Sequence, residues 1–170
     1  MSNQTDNQRM SIAILTISDS RDASTDTSGA FLKDALLQAG HRLAAHLIIA
    51  DQKEEIRLQC VRWIDDPEIQ VILTTGGTGF TRRDVTPEAV EPLLDKPMPG
   101  FGELFRMISF QEVGTSSLQS RAFAGLAKGT WIFCLPGSTG ACKTGWTQLI
   151  SQQLDNATKP CNLTELADRI

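Results

Sequence analysis

The sequence predicts an α/β fold: a single three-layer domain, with a mainly parallel sheet and helices on both faces. Three observations predict it. Ser11–Ser18, Ile69–Thr75 and Thr130–Leu135 are short runs that stay apolar instead of alternating, as strands buried on both faces do. Segments with a helical period lie between such runs. Stretches rich in glycine and small hydroxyl residues follow them, where strand would give way to helix.

The elements follow in order. Ser11–Ser18 carries three β-branched isoleucines and reads as the first strand. A polar turn occupies residues 19–26, and a helix is expected from about Ser28 to Ala39, with Phe31, Leu32, Ala35, Leu36 and Ala39 on one face. Gly40 is placed to end it in the left-handed region. Leu43–Ile49 is a second strand. In the next helix Ile56, Cys60, Trp63 and Ile64 share a face, and Pro67 bars its continuation. Ile69–Thr75 is the clearest strand, followed by the loop GGTGFTRRDV and a helix with Pro87 in its first turn. A further helix fits Phe101–Phe110. After the strand Thr130–Leu135, a final helix carries Trp146, Leu149, Ile150 and Leu154 on one face. No repeat or linker divides the chain, so one domain over residues 10–170 is expected, behind a flexible polar tail at residues 1–9.

Composition narrows the function. With 41% hydrophobic and 21% charged residues the chain is of ordinary globular type rather than disordered. Its net charge of −4 argues against general nucleic-acid binding, which needs clustered Lys and Arg. No apolar run approaches the ~20 residues of a membrane span, and the N-terminal residues lack a signal-peptide core. A cytoplasmic protein is expected. Cys60, Cys134, Cys142 and Cys161 form no CxxC pair, and His41 and His46 lie far in sequence from all but Cys60. That pattern argues against structural zinc or a disulfide framework and reads as reduced thiols.

In a parallel sheet, strand-end loops converge on one edge, where ligands bind. Three are chemically suggestive. The first holds Ser18 and Asp19 and continues to Ser28 and Gly29; the second is Thr74 to Gly79; the third holds Pro136, Gly137 and Ser138. Glycine lets backbone amides approach an anion, and Ser and Thr add hydroxyl donors. One such loop alone would be no more than a turn. Three on one edge predict a shared cleft for a phosphorylated ligand. Gly76–Gly79 lacks the third glycine of a dinucleotide fingerprint, and in GSTGACKT, from Gly137 to Thr144, Cys142 stands where a P-loop needs glycine. Neither His41 nor His46 has a nucleophile-elbow serine to serve.

Asp84 follows the glycine loop beside Arg82 and Arg83, and Asp51 follows the second strand. Two carboxylates at neighbouring strand ends suit Mg²⁺ that also binds substrate phosphate, and the arginines suit phosphate itself. Asp51 has an ordinary alternative as a helix N-cap, and Asp84 as the partner of an adjacent arginine.

The stretch from Gly76 to Ala89, GGTGFTRRDVTPEA, resembles the signature of the MoaB/MogA family of molybdenum-cofactor biosynthesis proteins, to which the gephyrin G domain also belongs. The resemblance begins at Thr16–Asp19 and continues through Pro99–Glu103, Ser120–Ala122 and Pro136–Gly137. Pro136–Thr139 and Lys159–Asn162 resemble the MoaB branch. The resemblance implies molybdopterin binding and Mg²⁺-dependent transfer of AMP from ATP to the terminal phosphate of molybdopterin. It implies Asp51 and Asp84 as catalytic and Mg²⁺-binding residues. The substrate-binding set it suggests, together with the loop chemistry, is Ser18, Asp19, Ser28, Gly29, Gly76, Gly77, Thr78, Gly79, Arg82, Ser109, Pro136, Gly137 and Ser138. It further implies a homotrimer or homohexamer and transfer of product to a molybdate-inserting protein. A catalytically silent molybdopterin-binding or interaction paralogue is the alternative. Phe101, Phe105, Met107 and Ile108 are apolar candidates for either an interface or the core.

Overall fold

A computed structural model of the chain describes residues 8–170. The tail expected at residues 1–9 lies outside the described residues as far as position 7. The elements are β1 (Ser11–Ile17), α1 (Thr27–Gln38), β2 (Arg42–Ile49), α2 (Lys53–Ile64), β3 (Val71–Thr75), α3 (Thr86–Val90), β4 (Lys96–Pro97), α4 (Pro99–Val113), β5 (Phe123–Ala127), β6 (Thr130–Leu135) and α5 (Thr139–Gly145). A π-helical turn, Trp146–Ile150, prolongs α5 into a last α-helical turn at Ser151–Gln153. Short 3₁₀ turns occupy Gly114–Gln119 and Leu163–Arg169.

The sheet order is β2-β1-β3-β6-β5-β4. β2, β1, β3 and β6 run parallel, and β5 and β4 are antiparallel additions at one edge. The mainly parallel sheet expected from the sequence is therefore present, with two strands the sequence reading did not place. β5 (FAGLA) has too little β-branched bulk to register as a strand, and β4 has only two residues.

Period-two alternation sends the strand residues to two cores. On one face Ile12, Ile14, Val71, Leu73, Trp131 and Phe133 pack against α1, α4 and the final helix, through residues such as Leu32, Leu36, Phe101, Phe105, Trp146 and Ile150. On the other, Ala13, Leu15, Ile72 and Ile132 meet Ile56, Cys60, Trp63 and Ile64 of α2 and Ala89 and Val90 of α3. Both cores bury strands made almost wholly of apolar residues, which explains the continuous runs. Phe101 and Phe105 belong to the core, whereas Met107 is 60% exposed. Gly40 sits at φ +85°, as expected at the end of α1.

His41 is a core residue: its Nδ1 accepts from the Met10 amide at 3.3 Å, and its ring meets Trp146 edge-on. The four cysteines are free thiols, three of them buried. Among the described residues no helix is long and apolar enough to cross a membrane.

Candidate functional site

The C-terminal ends of β1, β3 and β6 open into a cavity of about 710 Å³. Its floor is built by backbone. The Gly76 amide donates to Leu135 O at 3.0 Å, and the Thr75 hydroxyl donates to Pro136 O at 3.1 Å, so the second and third loops are tied together. Thr86 closes the glycine loop: its hydroxyl donates to Gly76 O at 2.8 Å and its amide to Gly77 O at 3.0 Å. Gly76 and Gly77 have φ of +112° and +66°, which favour glycine. A Cβ on Gly76 would stand 2.1 Å from Ile17 O, so β1 also needs the bare backbone there. Cys142 lies beneath, donating to Thr75 Oγ1 at 3.1 Å; burial pushes its pKa up to about 11, so it remains a thiol.

Three carboxylates gather at one side. Asp51 and Asp19 grip one another's backbone: each accepts from the other's amide at 3.0 Å. The N-cap of α2 is Gln52, without a side-chain bond, so the capping role considered for Asp51 is corrected. The Asp51 side chain turns across the loop instead of back onto its own helix. Arg83 binds Asp19 with two hydrogen bonds of 2.7 Å. Asp84 accepts from the Thr81 amide at 2.8 Å within a turn whose Asp84 amide bonds back to Thr81 O.

The two candidate catalytic acids are tuned oppositely. Asp51 is raised above the ordinary aspartate range by burial first, then by the negative charges of Asp19 and, more weakly, Asp84; the Asp19 amide and Arg83 offset this only in part. Asp84 feels burial most, which raises it, but bonds from Thr81 and Gly79 and the charge of Arg121 outweigh that and lower it. Arg121 also straps the loop from below. Its Nε donates to Gly79 O and its Nη2 to Asp84 O, both at 2.8 Å, while Nη1 pairs with Glu88 and the guanidinium lies 5.2 Å over the Phe80 ring.

A buried network lies under the first loop. Asp26 caps α1 by accepting from the Gly29 amide at 2.9 Å, and accepts from Thr16 Oγ1 at 2.6 Å. His46 Nε2 is 3.0 Å from the same carboxylate. Burial opposes the charge on Asp26, yet these partners hold it below the usual range. Ser28 donates to Asp26 and accepts from Arg21 at 2.5 Å.

Ser18, Asp51, Gly76, Gly77, Thr78, Gly79, Asp84, Ser109, Pro136, Gly137 and Ser138 therefore line one cavity. Four other candidates do not. Asp19 is held beside it by Arg83, Ser28 and Gly29 lie buried behind it, and Arg82 is exposed and does not line it, while Arg83 takes the place beside the acids. Arg21, Glu112 and the 3₁₀ residues Ser116 and Ser117 line the cavity without a motif to mark them in the sequence. The helical spacing of Phe105, Ser109, Glu112 and Val113 was the available signal for their shared face.

Among the described residues no group of three or more His, Cys, Asp or Glu side chains is arranged to hold a metal by itself. Asp51 and Asp84 both line the cavity and are the carboxylates that could serve a metal taking further ligands from a substrate. The raised pKa of Asp51, caused partly by its acidic neighbours, marks a place where a cation would relieve repulsion.

Comparison with known proteins agrees with this geometry. A family model described as "Probable molybdopterin binding domain" matches residues 13–156. Molybdenum cofactor biosynthesis protein B of Escherichia coli K12 is 52% identical over 151 residues, covering 89% of each chain. A crystal structure of a molybdenum cofactor biosynthesis protein B superposes with TM-score 0.84 at 44% identity, over 86% of this chain and 92% of that one. The tungsten cofactor synthesizing protein MoaB of Pyrococcus furiosus gives 0.77 at 35% identity, over 85% and 92%. With the glycine loop, its acids and the cleft all in place, the chain belongs to the MoaB/MogA family of molybdenum-cofactor biosynthesis proteins, in its MoaB branch.

Proposed function

We propose that the chain binds molybdopterin and transfers AMP from ATP to its terminal phosphate, giving adenylyl-molybdopterin and pyrophosphate. The observation that carries this reading is the convergence of Asp51 and Asp84 beside the glycine loop, in a cleft large enough for a drug-sized ligand or larger. A terminal phosphate oxygen of the pterin attacks the α-phosphorus of ATP. The bond from that phosphorus to the bridging oxygen breaks, and pyrophosphate leaves with the electron pair. The protein contributes position and charge rather than a covalent intermediate. The amides of Gly77 and Thr78 and the hydroxyls of Ser18 and Ser138 offer donors to phosphate oxygens. Arg83 supplies positive charge beside the acids, and Asp51 and Asp84 would hold Mg²⁺. When bound, that ion neutralises charge developing on the phosphate oxygens.

Incubating purified protein with molybdopterin, ATP and Mg²⁺ tests the reading; adenylylated pterin and pyrophosphate are expected. Tight pterin binding without either product would instead establish a silent paralogue that only binds or passes on the pterin. The same reading includes self-association as a homotrimer or homohexamer, supported by exposed apolar residues Met107, Phe110 and Leu118, at 60%, 51% and 77%. Light scattering reads this directly, and a monomer would refute it. The product would pass to a molybdate-inserting protein.

A further inference from the structure

The cleft is chemically lopsided. Its strand-edge side carries Arg21, Asp51, Arg83 and Asp84. The facing wall, from α4 and the following 3₁₀ turn, offers Phe105, Ser109, Val113, Ser116 and Ser117 and a single charge, Glu112. The Glu112 carboxylate is steadied by α5: the Thr144 hydroxyl lies 2.9 and 2.8 Å from its two oxygens. Thr144 is buried, so this partner is fixed by packing. One hydroxyl has one proton to give, and an ionised carboxylate has about four lone-pair positions. Most of the acceptor capacity of Glu112 therefore remains, and it repels any phosphate placed against it.

Resting on the molybdopterin reading, we propose that Glu112 is a specificity-determining residue that receives the aminopyrimidinone edge of the pterin. That edge presents a ring N3–H and an exocyclic 2-amino group side by side, two parallel donors that a carboxylate can accept together, as it does from a guanidinium. The adenine of ATP presents an amine beside a ring nitrogen lone pair, which would face a carboxylate oxygen unfavourably. Glu112 thus sorts the two substrates that share the cleft. It draws the pterin ring to the helical wall and leaves the phosphates to the arginine and glycine side. Phe105 and Val113 add apolar surface on that wall.

The test uses the intact protein and two probes, pterin itself and its N3-methyl derivative, with binding measured by fluorescence or calorimetry. Glu112→Gln keeps the size of the side chain and its bond to Thr144 but loses the charge and one of the paired acceptors. Wild type is expected to prefer pterin over N3-methylpterin by at least about tenfold, the scale of a charged hydrogen bond. Glu112→Gln should weaken pterin binding by a similar factor and lose the preference. Equal pterin binding by both proteins, or an equal preference in both, would overturn the role of Glu112 while leaving the adenylyl-transfer reading intact if the assay above succeeds. A wild-type protein that binds no pterin and gives no adenylylated product in that assay would overturn both, and one that binds no pterin but gives the product would overturn the role of Glu112 alone. Should Glu112→Gln fail to fold, the N3-methyl comparison in wild type still decides: no discrimination there rules the contact out.

Discussion

Asp19 and Asp51 each accept a hydrogen bond from the other's backbone amide, both at 3.0 Å, so the loops after β1 and β2 are locked by a reciprocal pair of carboxylates. Two acids this close repel, and Arg83 neutralises only one of them directly, through its paired bonds to Asp19. The arrangement stores an electrostatic cost at Asp51, whose pKa is raised by burial and then by Asp19.

That cost predicts a separation of stability from activity. A folded-state pKa above the ordinary value means that ionised Asp51 opposes folding at neutral pH, and that the penalty fades as pH falls through the raised pKa. Asp51→Asn is expected to raise Tm at pH 7 by about 2–4 °C, equivalent to at most about 1 kcal/mol after solvent screening. The gain should shrink toward acid pH, while AMP transfer is lost. Melting curves of both proteins across pH, with the transfer assay, check this; a lowered Tm at pH 7 would contradict it.

Asp84 predicts the reverse sign. Its folded pKa is lowered despite burial, by bonds from Thr81 and Gly79 and by Arg121. Its ionised form therefore supports folding above the ordinary aspartate pKa, and that support is lost as pH falls through the lowered folded value. Asp84→Asn should be slightly less stable than wild type at pH 7 and equal to it in strong acid. Adenylylation should fall by about 100-fold or more, with pterin binding retained. Turnover at the wild-type rate would exclude Asp84 from the chemistry.

Arg121 spans Gly79 O and Asp84 O with separate nitrogens, which one ammonium cannot do. Arg121→Lys should therefore cost roughly 1–3 kcal/mol, seen as a lower midpoint in urea. Amides of residues 79–84 should exchange faster with deuterium. Unaltered exchange would show that the strap does not hold the loop.

Gly76 and Gly100 give a contrasting pair. Gly76→Ala meets both a positive φ and Ile17 O at 2.1 Å, and should destabilise by about 2 kcal/mol or more. Gly100, in the first turn of α4, has no atom within 4 Å of the added methyl, and Gly100→Ala should be neutral or stabilise by up to about 1 kcal/mol. Equal effects in denaturant melts would mean that the backbone conformation at Gly76 is not what requires glycine.

The strands that build the site were legible because burial on both faces leaves mostly apolar residues, with a few Ser and Thr, in β1, β3 and β6. The glycine loop was legible because its backbone conformation demands its residue types. The helical wall was harder to read. Gly114–Gln119 forms 3₁₀ geometry with no apolar period, and the approach of Glu112 to Thr144 joins residues far apart in sequence. The choice between Arg82 and Arg83 could not be read locally either, since it depends on Asp19, which arrives from another strand. For the same reason Asp51 looked like a cap: the partner that turns it away from α2 lies 32 residues earlier.

The antiparallel direction of β5 has a mechanical consequence. A chain leaving the top of β3 and entering the bottom of β6 must travel the length of the sheet, and here β5 makes that return. The stretch before it therefore passes the ligand edge twice, first as the glycine loop and then as the end of α4 with its 3₁₀ turn. The glycine loop on one side of the cleft and the helical wall on the other thus belong to one uninterrupted length of chain, and Arg121, at its far end, reaches back to clip Gly79 and Asp84 at its near end. This clip ties the helical wall to the glycine loop directly, by a route that does not pass through the sheet.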